Sequence, residues 1–236
     1  VKTCLFDIAD EVRLSASALR GYGLSVLPGG GAEQDPEEWW NALMASTAEV
    51  LSSGGVKPRE IDGISFCSQM QGLVLVDKQG RALRQAMSYM DQRAREELKQ
   101  GMQRGIKIGG LNAVKTLRAL NLTGAVAGSV KDPIWKYVWV KNHEPDIFRK
   151  AYKWLDVKEY LICRMTGRFV MTQDSAFATE LLDIRRGRWC FNSSVCRMYD
   201  VDPAHLPEII SSSDVAGTLL PGAARELGLE PGTSVF

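Results

Sequence analysis

The 236-residue chain is 45% hydrophobic and 24% charged, which is ordinary globular composition and excludes disordered, collagen-like and disulfide-framework classes. Its 29 Lys and Arg against 28 Asp and Glu leave a net charge of +1, so no basic field exists to favour nucleic acid or an anionic membrane surface as a partner. No apolar run approaches the roughly 18–20 residues of a membrane span, and no charged-then-apolar leader is read at the start.

In chain order, Val1–Phe6 reads as a strand, Asp7–Asp10 as its turn and Glu11–Leu19 as the returning strand. Gly21–Gly31 reads as a loop. Asp35, Pro36, Glu37 and Glu38 open a helix as N-cap, first position and acidic first turn. Trp40, Leu43, Met44, Thr47 and Leu51 then share its apolar face, and Gly54-Gly55 stops it. Ile61–Phe66 reads as a buried strand and Gly72–Val76 as another, closed by the turn Asp77–Gly80. Further helices are expected from Asp91 to about Gln100, near Ala113–Leu120, after Asp132-Pro133, after Pro145, after Asp156 up to Gly167, near Asn192–Tyr199 and near Ala223–Leu227. Phe169–Met171 and Thr233–Phe236 read as short strands. This alternation gives an α/β class with antiparallel pairing near the start.

Chemistry has few places to sit. No GxxxxGK[ST], GxGxxG or GxSxG occurs. Cys4, Cys67, Cys163, Cys190 and Cys196 show no CxxC pair, and with only His143 and His205 they give no zinc spacing. They read as free thiols of a cytoplasmic protein. The six tryptophans read as core or interface residues. Three polar clusters remain. Ser68-Gln69-Met70-Gln71-Gly72 offers amides for ligand hydroxyls, or is an ordinary turn. Tyr89-Met90-Asp91-Gln92-Arg93 offers a ring for a sugar face and a carboxylate for two hydroxyls, or is a helix start capped by Asp91. Thr172-Gln173-Asp174-Ser175 is either a third polar site or a capped turn.

Several stretches together resemble the FGGY carbohydrate kinases. Ala32–Trp40 (AEQDPEEWW) is similar to the family's AEQDPE-x-WW, Ser68–Asp77 (SQMQGLVLVD) to SGQMHGLVLLD, Met90–Ala94 (MDQRA) to NDQRA, and Lys136–Pro145 (KYVWVKNHEP) to KLLWLKENEP. Tyr160–Gly167, Asp174–Ala176, Leu181–Asp183 and Arg188-Trp189 resemble the segment closing the family's N-terminal domain. The match runs nearly end to end and looks xylulokinase-like. It implies an actin-like, ribonuclease-H-like fold, a mixed sheet with helices on both faces. It also implies ATP-dependent phosphorylation of a sugar or polyol hydroxyl, a pentulose such as xylulose, with an aspartate base and Mg2+ on the phosphates. Residues 1–236 then correspond to most of the sugar-binding N-terminal domain. The family's first strand is expected before Val1, and its base and nucleotide domain after Phe236. The implied partners are a small sugar and the protein's own C-terminal domain; a homodimer is left open.

Carried over residue by residue, the substrate side comprises Gln69, Met70, Gln71, Tyr89, Asp91 and Gln92, with no catalytic residue in this stretch. Tyr89 stands where the family usually has tryptophan, Gln71 where it has histidine and Met90 where it has asparagine. Lys136 matches a family lysine to which the resemblance assigns no role. The competing readings are a non-catalytic sugar-binding or regulatory module and an unrelated α/β interaction domain.

Overall fold

Four apolar residues in a row, Leu73–Val76, organise the molecule. Successive strand residues point to opposite faces, so an unbroken apolar run suits a strand covered on both sides. In the computed structural model, which describes residues 1–236, all four are at most 1% exposed. Leu73 and Leu75 enter a core with Trp135, Tyr137, Trp154 and Tyr199. Val74 and Val76 enter a second core with Trp39, Trp40, Tyr160 and Leu161. Lys153–Leu155 pairs antiparallel with Val74–Val76, and it divides in the same way, Trp154 to the first core and Leu155 to the second.

Helices cover both faces. On the Val74 side lie α1 (Pro36–Gly54), α6 (Val157–Thr166) and α9 (Pro221–Leu227). On the Leu73 side lie α2 (Arg95–Met102), α3 (Ala113–Thr123), α4 (Pro133–His143) and α8 (Ser193–Met198). Two short helices, α5 (Pro145–Phe148) and α7 (Gln173–Ala178), complete the set. Sheets are two or three strands wide. Pairing is mixed: Val170–Thr172 runs parallel to Glu208–Ile210, while the hairpin Lys2–Ile8/Val12–Leu19 is antiparallel with a register shift between Leu5 and Phe6. No helix is long and apolar enough to cross a membrane.

The capped helices begin and end where local chemistry places them. Asp35 accepts from the Glu37 N–H at 2.9 Å, and Gly55 ends α1 at φ 63°. Asp156 accepts from Val157 at 2.8 Å, and Gly167 ends α6 at φ 72°. Only glycine adopts that left-handed conformation without steric cost.

Other expectations are corrected. The buried stripe of α1 is rotated toward Trp39, Ser46 and Val50, leaving Met44 and Leu51 half-buried, because Trp39 packs edge-on against Tyr22 and Tyr160. The Gly21–Gly31 loop contains the strand Ser25–Leu27, paired with Gly31–Gln34, which in turn pairs with Ala86–Met87. Of Ile61–Phe66 only Gly63–Ile64 is a strand, and no residue of that segment is buried. No helix starts at Asp91; α2 begins at Arg95. Thr172–Ser175 is the end of a strand running into α7, with Lys158 donating to Thr172 at 2.7 Å and Asp174 at 3.1 Å.

Candidate functional site

Backbone pairing brings the first two polar clusters together. The Leu73 N–H donates to the Met87 carbonyl at 2.9 Å and the Met87 N–H to the Leu73 carbonyl at 3.1 Å. The segments that leave this pair are Ser68–Gly72 and Ser88–Gln92. A third strand holds the second of them: Ser88 N–H donates to Ala32 and Gln92 N–H to Gly30, both at 2.8 Å. Met70 and Tyr89 are 50% and 45% exposed, Met90 is exposed as well, and Gln69, Gln71 and Gln92 are half-buried. The Gln69 amide donates to the Gln34 Oε1 at 2.6 Å.

Asp91 lies beneath this surface rather than on it. Its side chain is fully buried. Oδ2 accepts from Ala32 N–H at 2.7 Å and from Arg93 Nη2 at 2.7 Å, and Oδ1 accepts from Arg93 N–H at 3.1 Å. A carboxylate has about four lone-pair sites, and the protein occupies them, Arg93 Nε included. The expected acceptance of two ligand hydroxyls therefore has no free oxygen behind it. Arg93 also pairs with Glu33 at 2.8 Å and lies 4.8 Å from the centroid of the Trp139 ring. Arg84 joins Glu33 and reaches Glu144 at 2.8 Å.

The other loop rests on buried charge too. Gln71 is left-handed, at φ 65°. Its carbonyl accepts from Lys136 Nζ at 2.6 Å, and the same ammonium donates to the Lys131 carbonyl at 2.6 Å. Gly72 N–H donates to Asp156 Oδ1 at 3.1 Å. Burial pushes the Lys136 amine down to about 8, against the pull of the Asp91, Asp156, Asp132 and Glu180 charges. Burial, reinforced by Asp132, pushes the Glu180 carboxyl well above the usual carboxylate range. Burial likewise raises Asp156.

Beside the loop opens a cleft of about 870 Å³ lined by Cys67, Met70, Lys158, Phe177, Trp189 and Ser212 among others. Of the six predicted residues it borders only Met70. No three His, Cys, Asp or Glu side chains are grouped to hold a metal ion, and Asp91, the carboxylate under the surface, is consumed by Arg93. These residues do not fit a Mg2+ site.

Sequence reading missed the charge network. Glu33 lay inside the AEQDPE stretch and Arg93 inside the MDQRA stretch, yet their pairing joins segments about 60 residues apart and leaves no periodic signal. Glu180 carried no signal at all.

The model of the FGGY family of carbohydrate kinases, N-terminal domain, matches residues 1–236; the chain belongs to that family. It is 31% identical to a xylulose kinase of Bacillus subtilis (strain 168) over 100% of this chain and 44% of the relative. It is 26% identical to a gluconokinase of the same organism over 90% of this chain and 39% of the relative. Among solved structures, the ligand-bound xylulose kinase and the gluconate kinase of Lactobacillus acidophilus both superpose with TM-score 0.83 at 25% identity, covering 100% and 99% of this chain and 44% of each. The chain thus spans less than half the length of these relatives, and its fold is that of the actin-like sugar kinases.

Proposed function

We propose that the complete protein transfers a phosphoryl group from ATP to a hydroxyl of a small sugar, a pentulose such as xylulose, and that this chain supplies the sugar-binding half. The observation that supports the reading is the antiparallel pairing of Leu73 with Met87, from which the segments Ser68–Gly72 and Ser88–Gln92 leave at the same end. A polyhydroxy ligand needs donors and acceptors side by side together with an apolar face for its C–H groups. The amides of Gln69, Gln71 and Gln92 supply the first, and the exposed Tyr89 ring and Met70 the second. Asp91 holds Tyr89–Gln92 in place through Ala32 and Arg93, so its contribution is to orientation. The base, ATP and Mg2+ belong in this reading to a nucleotide-binding half; the similar Bacillus subtilis xylulose kinase is matched over 44% of its length.

The test is a substrate panel on the full-length protein, with ADP release measured for xylulose, gluconate and glycerol. Turnover of xylulose with kcat/KM about tenfold or more above the other two supports the proposal in full. A preference for gluconate refutes the pentulose assignment. No ADP release with any sugar or polyol refutes the kinase reading and leaves a sugar-binding module.

A further inference from the structure

Lys136 is wholly buried, yet no carboxylate pairs with it directly. A buried ammonium is costly unless its donors are satisfied. Here Nζ spends two of them on backbone carbonyls, those of Gln71 and Lys131, both at 2.6 Å. Four acidic groups surround it: Asp91 from the Tyr89 loop, Asp132 at the start of α4, Asp156 at the start of α6, and Glu180 after α7.

The two ends of one peptide unit meet opposite charges. The Gln71 carbonyl takes the Lys136 ammonium, and the Gly72 N–H gives to the Asp156 carboxylate at 3.1 Å. Asp156 is itself fixed, since the same oxygen caps α6 through Val157 N–H. Lys136 is fixed through the Lys131 carbonyl at the entry to α4. The Gln71–Gly72 peptide is therefore stretched between the beginnings of two helices. That explains how Gln71 persists at φ 65°, a conformation that a side-chain-bearing residue holds only when its surroundings over-determine it. It also explains why residue 72 is glycine: a Cβ there would lie 2.6 Å from Asp156 Oδ1.

We infer that Lys136, acting with Asp156, is a positioning residue for the sugar: it fixes the Gln71–Gly72 peptide and thereby aims Met70 and Gln71 at the ligand. The inference deepens the kinase reading and rests on it for the identity of the ligand, but the peptide clamp itself can be measured without turnover.

Two measurements on the full-length protein test it. The first is amide hydrogen exchange of the wild type, in which Gly72 N–H should exchange roughly 100-fold more slowly than Met70 N–H. Exchange of Gly72 at the rate of the exposed loop overturns the clamp, whatever the protein phosphorylates. The second is a double-mutant cycle with Lys136→Met and Gln71→Gly, read as KM for sugar and KM for ATP. Lys136→Met should raise the sugar KM about tenfold and leave the ATP KM within about twofold, and its effect should fall below about threefold when residue 71 is already glycine. Additive effects, or equal losses for sugar and ATP, overturn the positioning role. Should Lys136→Met fail to fold, Asp156→Asn completes the cycle in its place, since it removes the opposing charge and keeps an oxygen for the cap. A wild type that shows Gly72 protection but phosphorylates no sugar refutes the kinase reading and upholds the clamp.

Discussion

Gly72→Ala probes the loop at its tightest point. The added Cβ would stand 2.6 Å from Asp156 Oδ1 and 3.6 Å from the Met87 carbonyl oxygen. The carboxylate cannot swing aside freely, because Oδ1 accepts from both Gly72 and Val157. Moving it forfeits a hydrogen bond to a charged acceptor, about 1.5–3 kcal/mol, and weakens a helix cap by about 1 kcal/mol. Shifting the backbone instead incurs an overpacking strain of about 1–3 kcal/mol. The two routes together bracket a loss of roughly 1–4 kcal/mol in urea unfolding of the full-length protein, together with a raised KM for sugar at constant KM for ATP. Gly55→Ala is the control. Unlike Gly72 it is left-handed, at φ 63°, and a Cβ there has nothing within 4 Å, so Gly55→Ala should cost about 1–2 kcal/mol through backbone strain alone and leave both KM values unchanged. A Gly72→Ala protein with unchanged stability and unchanged sugar KM would refute the packing argument.

Three further outcomes are expected. Asp91→Asn leaves Arg93 with Glu33 at 2.8 Å as its remaining partner; breaking the buried pair should cost about 3 kcal/mol and raise the sugar KM, and a loss below about 1 kcal/mol would show that the network reorganises. Glu159 is fully buried, neither of its oxygens has a hydrogen-bond partner, and Lys158 is 3.9 Å away. Burial first, then the Asp156 charge, pushes its carboxyl from 4.5 up to about 7. A carboxyl raised on folding contributes its stability below pH 4.5 and loses it as pH rises through 7, so Glu159→Gln should gain on the wild type by about 3 kcal/mol across that window; a pH-independent difference between the two in urea titrations would be the contrary result. Gln71→His should change the ratio of kcat/KM for xylulose and gluconate about tenfold, and an unaltered ratio would remove Gln71 from the sugar surface.

What could be read in the chain before folding was what neighbouring residues decide among themselves. Asp35-Pro36 and Asp156 start α1 and α6, Gly55 and Gly167 end them, and the apolar run Leu73–Val76 marks a strand with a core on each side, because caps, left-handed stops and side-chain alternation act within a few residues. The kinship of the stretches around Gln71 and Asp91 was legible in the same way, as words of sequence. The roles of those residues were not. Asp91 looked like a helix cap or a hydroxyl acceptor; in the fold its oxygens serve Ala32, 59 residues away, and Arg93. Lys136 carried no assignment until it met a carbonyl 65 positions back, and the Asp156 cap proved also to hold Gly72, 84 positions back. Such partners are chosen by packing: once helices close over both faces of the central strand, each buried charge must find whichever donor or acceptor the tertiary structure brings within reach.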